Sequence, residues 1–157
     1  MKVLFSILAL LFLNRDCEQN KASDTSLNAE KQFSIQKNTI ISYEENTRGF
    51  YERIWITRDS ITVTGDRKHI EKISVPTPQK EWNELMTLLK EVNIKELPNL
   101  KAPTSMRHYD GARFTTLFVT QNKVETATES FDHGHPPNAI ENLVNKVLSM
   151  RKLIPKK

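Results

Sequence analysis

Five residues in the second half of the chain have side chains that could take part in catalysis or metal binding. They are His108, Asp110, Asp132, His133 and His135. Two histidines two positions apart, supported by carboxylates, are able to bind zinc or another borderline divalent ion. An imidazole beside a carboxylate could also act as a general acid or base. One hypothesis is therefore a metal-dependent or acid/base hydrolase.

The same residues have a structural explanation. Asp110-Gly111 and Asp132-His133-Gly134 are typical of turns, in which Asp bonds its own backbone and Gly supplies an unusual dihedral angle. The spacing of a metalloprotease helix or a zinc finger is missing, as is a nucleophile elbow. We therefore favour a turn-forming role, assign no catalytic residue and expect no cofactor.

A predicted β-hairpin brings these residues together. Two segments rich in β-branched and aromatic residues, 112–120 and 123–130, predict its strands, and Gln121-Asn122 predicts its turn. Pairing about this turn places Asp110 opposite His133 or within two residues of it, and directly opposite residues lie about 5 Å apart. The register is open by about one residue, because no glycine follows the turn asparagine. We expect the cluster at the base of the 112–130 hairpin.

The rest of the domain predicts more strands and two helices. Apolar residues at helical spacing predict one helix after an N-cap at Thr77, with Trp82 in the core, and a second helix that includes Leu143. Segments with β-branched and alternating apolar residues predict strands at 39–45, 50–57, 61–64 and, with a looser pattern, 70–75.

This order of elements predicts the α+β class. Short turns between consecutive strands imply antiparallel pairing. We expect a single antiparallel sheet of about five to six strands, in the order three or four strands, helix, β-hairpin, helix. The two helices should pack on one face of the sheet.

Composition narrows the possible functions. The chain has 157 residues, with 23 Lys and Arg against 19 Asp and Glu, and a pI near 9.2. Its basic residues are scattered among acidic ones, whereas a nucleic-acid interface needs a basic stripe with interleaved aromatics, so we expect no nucleic-acid partner. A single cysteine excludes an intramolecular disulfide.

The first part of the chain predicts export. An apolar run at residues 3–13 follows Met1 and Lys2, and is the right length for the core of a secretory signal but too short to span a bilayer. Cys17 begins a polar stretch without periodicity. The predicted organisation is a signal peptide at 1–16, a disordered tether at 17–38, one α+β domain at 39–153 and a tail at 154–157.

The position of Cys17 resembles the lipid-attachment cysteine of bacterial lipoproteins. The lipoprotein signal usually has a Leu-like residue three positions before the cysteine and small residues between, whereas this chain has Asn14, Arg15 and Asp16. We favour a lipoprotein anchored to the membrane and facing the periplasm or the cell surface. A secreted protein with a free thiol and an uncleaved signal anchor are the alternatives.

A wider resemblance rests on four stretches of sequence. They are ISYEENTRGFYERIWI, LKAPTSMRHYDGA, FDHGHPP and NAIENLV, within Ile40 to Met150. Together they resemble uncharacterised small lipoproteins and secreted domains of Bacteroidota-type bacteria, a family that implies no particular activity. A related group carries a CxxCP-like cysteine pair where this chain has Arg48-Gly49-Phe50-Tyr51, so no thiol chemistry carries over to this turn.

The hypothesis that we favour is a non-catalytic binding module, with the hydrolase as the alternative. Tyr51, Arg53 and Trp55 alternate along one predicted strand and could form a contact face for an envelope protein or a small ligand. Burial of these side chains under the helices is the alternative. Convergence of the histidines and aspartates in a pocket would favour the enzyme instead.

Overall fold

The computed structural model describes residues 38–155. The predicted signal peptide, Cys17 and all of the tether except residue 38 lie outside the described residues. The strands are β1 (Thr39–Asn46), β2 (Tyr51–Ile56), β3 (Ser60–Thr64), β4 (Ile73–Pro76), β5 (Phe114–Gln121), β6 (Val124–Ala127) and β7 (Phe131–Asp132). The α-helices are α1 (Gln79–Glu91) and α2 (Glu141–Arg151). Short 3₁₀ segments occupy Ile94–Asn99, Met106–Tyr109 and Asn138–Ile140.

The strands form one antiparallel sheet in the order β4-β3-β2-β1-β5-β6, and β7 also pairs with β5. The α+β class with a single antiparallel sheet is therefore confirmed. The predicted strand count was wrong, because seven strands form instead of five to six. The additional strand, β7, lies just beyond the predicted second hairpin strand at 123–130, of which only Val124–Ala127 forms a strand, β6.

Alternation along the strands gives the sheet two different faces. On β2, Ile54 and Ile56 point into the core, while Arg53 and Trp55 point to the opposite side. We call the first side the core face and the second the open face. The core cluster joins inward side chains of the sheet to buried residues of both helices: Ile41, Tyr43, Ile54, Ile56, Ile61, Val63, Leu117 and Val119 from the sheet, and Trp82, Leu85, Met86, Leu89, Leu143, Val144, Val147 and Met150 from the helices.

Two predicted segment boundaries were wrong for physical reasons. Residue Ile70 lies in the β3–β4 loop and not in a strand, because Asp66 accepts the backbone N–H groups of Lys68 and Ile70 and closes a turn. Thr77 does not cap α1, since its hydroxyl donates to the carbonyl of Thr57 instead. The core also includes Ile154, one residue beyond the predicted end of the domain.

The β5–β6 hairpin has its turn one residue later than predicted. Gln121 pairs with Val124, which leaves Asn122 and Lys123 as a two-residue loop. Their φ angles are 51° and 68°, as a type I′ turn requires. The sequence gives a weak signal for this turn because a lysine, and not a glycine, takes the second left-handed position.

Candidate functional site

Asp132 is a fully buried carboxylate that organises the segment before β5. β7 pairs Asp132 with Phe114, and its side chain is 0% exposed. One carboxylate oxygen accepts from the Thr104 hydroxyl at 2.5 Å and the Met106 N–H at 2.6 Å. The other accepts from the N–H and the Nη1 of Arg107, both at 3.0 Å. Asp132 thus satisfies free N–H groups at the start of a 3₁₀ turn.

The charge of Asp132 is stabilised where it lies. Burial alone would raise its pKa, but the hydrogen bonds from Thr104, Arg107 and Met106 outweigh burial and hold the pKa well below its usual range. Arg107 is the paired cation and is also largely buried. A carboxylate whose acceptor positions are filled by the chain's own donors is suited to fixing a loop and not to proton transfer.

His133 belongs to a separate group on the core side. Its Nδ1 lies 3.3 Å from the Tyr43 hydroxyl and 3.3 Å from Oε1 of Glu45. Glu45 is buried and also accepts from Nε of Arg113 at 2.5 Å. Burial lowers the pKa of His133, Glu45 raises it and Arg113 lowers it, with a net decrease. Burial, followed by the charge of Glu45, raises the pKa of Tyr43.

The remaining predicted residues do not join either group. His108 is exposed and lies edge-on to Phe114, with ring centroids 5.8 Å apart. Asp110 ends its 3₁₀ turn in a left-handed conformation with φ 59°. His135 is exposed, and its N–H donates to the Asp132 carbonyl.

The predicted juxtaposition of Asp110 and His133 was wrong. Strand pairing sets Asp132 against Phe114, and the His133 N–H donates to the Arg113 carbonyl, so Asp110 lies beyond the paired region. Within residues 38–155, no three His, Cys, Asp or Glu side chains form a group that could hold a metal ion. The structure therefore offers a metal no ligand set in this region.

Sequence reasoning missed the buried partners of these residues. Glu45 and Arg113 contact His133, and Arg107 contacts Asp132, yet none of the three was a predicted site residue. One signal was present: Glu45 shares the inward face of β1 with Ile41 and Tyr43. A carboxylate on that face requires a buried partner.

The open face carries the three residues that the sequence proposed as a contact surface. Tyr51, Arg53 and Trp55 are all partly exposed. The Arg53 guanidinium lies 5.2 Å from the Trp55 ring centroid and 4.5 Å from that of Phe118, so it stacks between two aromatic rings. It also pairs with Glu44 at 3.2 Å. The alternative, burial of these side chains under the helices, is wrong.

The β3–β4 loop extends this aromatic array. The His69 ring stacks on Tyr51 with centroids 5.7 Å apart, and its Nε2 lies 2.5 Å from the Tyr51 hydroxyl. The same ring meets Trp55 edge-on at 5.1 Å, and Lys72 Nζ lies 5.2 Å from the Trp55 centroid. His69 has a φ of 56°, a left-handed conformation that is uncommon for a residue with a side chain.

We define the aromatic array as Tyr51, Arg53, Trp55, His69, Lys72 and Phe118. Its last three members were missed by sequence reasoning. Phe118 could have been found by pairing, because β1 has Ser42 between Trp55 on one side and Phe118 on the other. His69 and Lys72 lie in the β3–β4 loop, and the sequence did not predict the path of this loop.

Arg53 also has an unsatisfied donor. Its Nε is buried and has no hydrogen-bond acceptor among the described residues. An unpaired buried donor lowers the stability of a fold by about 1–3 kcal/mol, so its presence calls for a reason other than stability. The aromatic rings and cations of this array, with the neighbouring carboxylates of Glu44 and Glu125, suit binding. The array includes no serine, threonine or cysteine that could act as a nucleophile.

Comparison with known proteins assigns no family. No protein-family model and no curated protein matches the chain. Between residues 38 and 155, no helix is both long enough and apolar enough to cross a bilayer.

Proposed function

We propose that this chain is an exported, lipid-anchored envelope protein whose domain binds a partner and catalyses no reaction. The observation that carries the binding role is the aromatic array on the open face. Tyr51, Arg53 and Trp55 remain partly exposed there, while the same strand buries Ile54 and Ile56 on the other side. Tyr, Trp and Arg are the residues that dominate binding energy at protein interfaces.

The geometry of the array supports recognition of a partner. Arg53 is held between Trp55 and Phe118, so little side-chain entropy remains to be lost when a partner arrives. Carboxylates of Glu44 and Glu125 lie beside it at 3.2 and 3.8 Å. A partner would therefore meet flat rings with fixed charges of both signs, which favours an envelope protein or a small polar ligand over a nucleic acid.

The anchoring part of the proposal concerns Cys17. The apolar run before it and the polar stretch after it support export followed by lipid attachment. Cells grown with a labelled fatty acid should yield labelled native protein in the membrane fraction. A Cys17→Ala variant should lose the label and leave that fraction. If native protein never takes up the label, lipid attachment is wrong and only export remains.

The binding part is tested by crosslinking in the envelope. A photoreactive residue at Ser74, exposed on the open face, should crosslink to a discrete component. Asn83, exposed on α1, provides the matched control position. Adding Trp55→Ala should abolish the Ser74 crosslink and leave folding intact. Equal crosslinking from Ser74 and Asn83, or a crosslink that survives Trp55→Ala, would reject the open face as the contact surface.

A second candidate is the acid/base hydrolase, supported by the contact of His133 with the Glu45 carboxylate. This candidate needs His133 to exchange protons with a bound substrate. Titration of the purified protein with zinc, compared with a His133→Ala and His135→Ala double variant, tests its metal-dependent form. Stoichiometric binding lost in the double variant would move this candidate ahead of the binding module.

A further inference from the structure

The end of the sheet at which β1 finishes has an unusual surface. β1 begins at Thr39, which pairs with Gln121 beside the β5–β6 turn, and finishes at Asn46, which pairs with Tyr51 and Phe114. Eight residues of strand separate the two ends by about 23 Å. We define the loop end as the β1–β2 turn (47–50), the β3–β4 loop (65–72) and the segment 106–114.

Exposed apolar side chains concentrate at the loop end. Among the described residues, seven large hydrophobic side chains are exposed, and five of them lie in these three segments. The most exposed are Tyr109 at 84% and Ile70 at 76%. The full set at the loop end is Phe50, Ile70, Met106, Tyr109 and Phe114. A single exposed apolar residue needs no explanation, but a concentration of them marks an interaction surface.

Direct contacts join the three segments into one surface. The Arg67 guanidinium donates to the Thr47 carbonyl at 2.6 Å and the Phe50 carbonyl at 3.3 Å, which ties the β3–β4 loop to the β1–β2 turn. Arg113 stacks on Phe50 at 4.8 Å and ties the third segment to the same turn. An open groove of about 820 Å³ runs between residues 46–49 and 110–114.

The β3–β4 loop holds Ile70 outward in a fixed conformation. Both carboxylate oxygens of Asp66 accept backbone N–H groups, from Lys68 and Ile70, each at 2.9 Å. The His69 N–H donates to the Asp66 carbonyl at 2.9 Å, and Thr64 donates to the Glu71 carbonyl at 2.5 Å. The exposure of Ile70 is therefore built into the loop by hydrogen bonds.

Cations outnumber acids around these apolar side chains. The cations of the loop end are Arg48, Arg67, Lys68, Lys72, Arg107 and Arg113. Its carboxylates are Asp66, Glu71 and Asp110, and the buried Asp132 and Glu45 pair with Arg107 and Arg113 from below. Arg48 makes no ion pair with another residue of the described chain, and Lys72 Nζ lies 5.2 Å from the Trp55 ring centroid. Asp66 has its oxygens engaged by the loop backbone.

We propose that the loop end binds the surface of an anionic lipid bilayer. Apolar side chains on three separate loops can enter the boundary between headgroups and acyl chains, while lysine and arginine remain at the level of the anionic headgroups. This surface fits a protein partner less well, because its apolar residues project from separate loops and form no continuous strand or helix face. The inference does not rest on the open face or on lipid attachment at Cys17.

Vesicle binding can be measured with a chain that lacks Cys17 and so carries no attached lipid. The chain from residue 18 onward keeps every core residue of the described part of the chain, from Ile41 to Ile154. Its bound fraction on vesicles of phosphatidylcholine with phosphatidylglycerol should exceed that on phosphatidylcholine alone by about tenfold or more. Binding should fall steeply as salt approaches about 1 M, because screening then acts within about 3 Å.

A matched pair of variants locates the contact. Ile70→Glu at the loop end and Val124→Glu at the opposite end each remove an exposed aliphatic side chain and add one negative charge. Ile70→Glu should reduce the affinity for the anionic vesicles about tenfold, and Val124→Glu should leave it nearly unchanged. Thermal unfolding confirms that both variants fold.

Three results would overturn the proposal. The first is equal binding to anionic and neutral vesicles, and the second is an equal loss of affinity in Ile70→Glu and Val124→Glu. The third is binding to neither kind of vesicle by a folded chain, which would assign the loop end to a protein partner.

Discussion

The two faces of the sheet are stabilised by different chemistry although the same strands build both. Ile54 and Ile56 are buried against apolar side chains on the core face, where removal from water supplies the stability. Arg53 and Trp55, their neighbours on β2, contact cations, rings and carboxylates on the open face. Among residues 38–155, the side chains of the open face contact one another, whereas those of the core face pack against the two helices. Polar and aromatic contacts of this kind leave Arg53 and Trp55 partly exposed.

The largest expected effect is on the core face. Ile56→Ala should lower the free energy of unfolding by about 2–5 kcal/mol, because it leaves a cavity in a site that is 0% exposed. Trp55→Ala, one residue earlier, should cost less, since Trp55 keeps part of its surface in water. Denaturant unfolding measures both. If Trp55→Ala costs as much as Ile56→Ala, the open face is part of the core.

The next effect concerns the hydrogen bonds and the ion pair of the buried Asp132 carboxylate on β7. Asp132→Asn should cost about 3 kcal/mol, because an amide group would then face the donors of Thr104 and Met106 and leave Arg107 without its anion. Glu129→Gln, an exposed control on the same segment, should change stability little. A small loss in Asp132→Asn would show that the buried carboxylate does not hold the 3₁₀ segment.

Acid should remove the stability that Asp132 contributes. Its pKa is lowered by folding, so the contribution is fully present above the unfolded-state value of about 3.9. It is lost as the pH falls below that value toward the lower pKa of the folded state. The difference in stability between the native chain and Asp132→Asn should therefore shrink below about pH 4. A difference that stays constant down to acid unfolding would contradict this account.

A smaller effect is expected within the aromatic array. Arg53→Met keeps most of the side-chain length but removes the cation between Trp55 and Phe118, and should cost about 1 kcal/mol. Arg48→Met, which removes a cation with no ion pair among the described residues, should be nearly neutral. Similar losses in both variants would indicate that the stacking geometry contributes no stability.

The smallest expected effect is a pH dependence of the folding stability that arises from His133. Burial, only partly offset by Glu45, lowers its pKa, so the unfolded chain binds the proton more tightly than the folded one. Stability should decline slightly as the pH falls through the unfolded value of about 6.5. His133→Gln should flatten this decline. An unchanged slope near pH 6 in the variant would show that His133 is not its source.

The sequence predicted an element well where interactions between residues close in sequence determine it. The alternation of β1 and β2, the apolar stripe of α1 with Trp82, and the α+β class follow from periodicity, and all are present. The predicted start of the fourth strand at Ile70 was wrong, because the hydrogen bonds of the Asp66 side chain outweigh the β propensity of Ile70. The hairpin turn moved by one residue because Lys123 accepts a positive φ without being glycine.

The sites were harder to predict because they depend on distant contacts. Asp132 bonds residues about 25 positions earlier in the chain, and His133 contacts Tyr43 ninety positions away. The turn lies one residue later than predicted, which shifts the pairing partner of each β5 residue by two positions, and a further one-residue change between β6 and β7 shifts it by one more. Arg113, and not Asp110, therefore lies opposite His133. By contrast, Tyr51, Arg53 and Trp55 share one face of one strand, so alternation alone was enough to group them.

The most direct test of the central claim measures whether the open face is covered in the native envelope. A cysteine introduced at Ser74 on the open face or at Asn83 on α1 can be labelled with a thiol reagent, in intact envelopes and in purified protein. The native chain, labelled in the same way, measures any contribution of Cys17. Ser74→Cys should be labelled several-fold more slowly in the envelope than after purification, while Asn83→Cys should react at the same rate in both. Equal rates at Ser74 in both states would contradict the assignment of the open face as the binding surface.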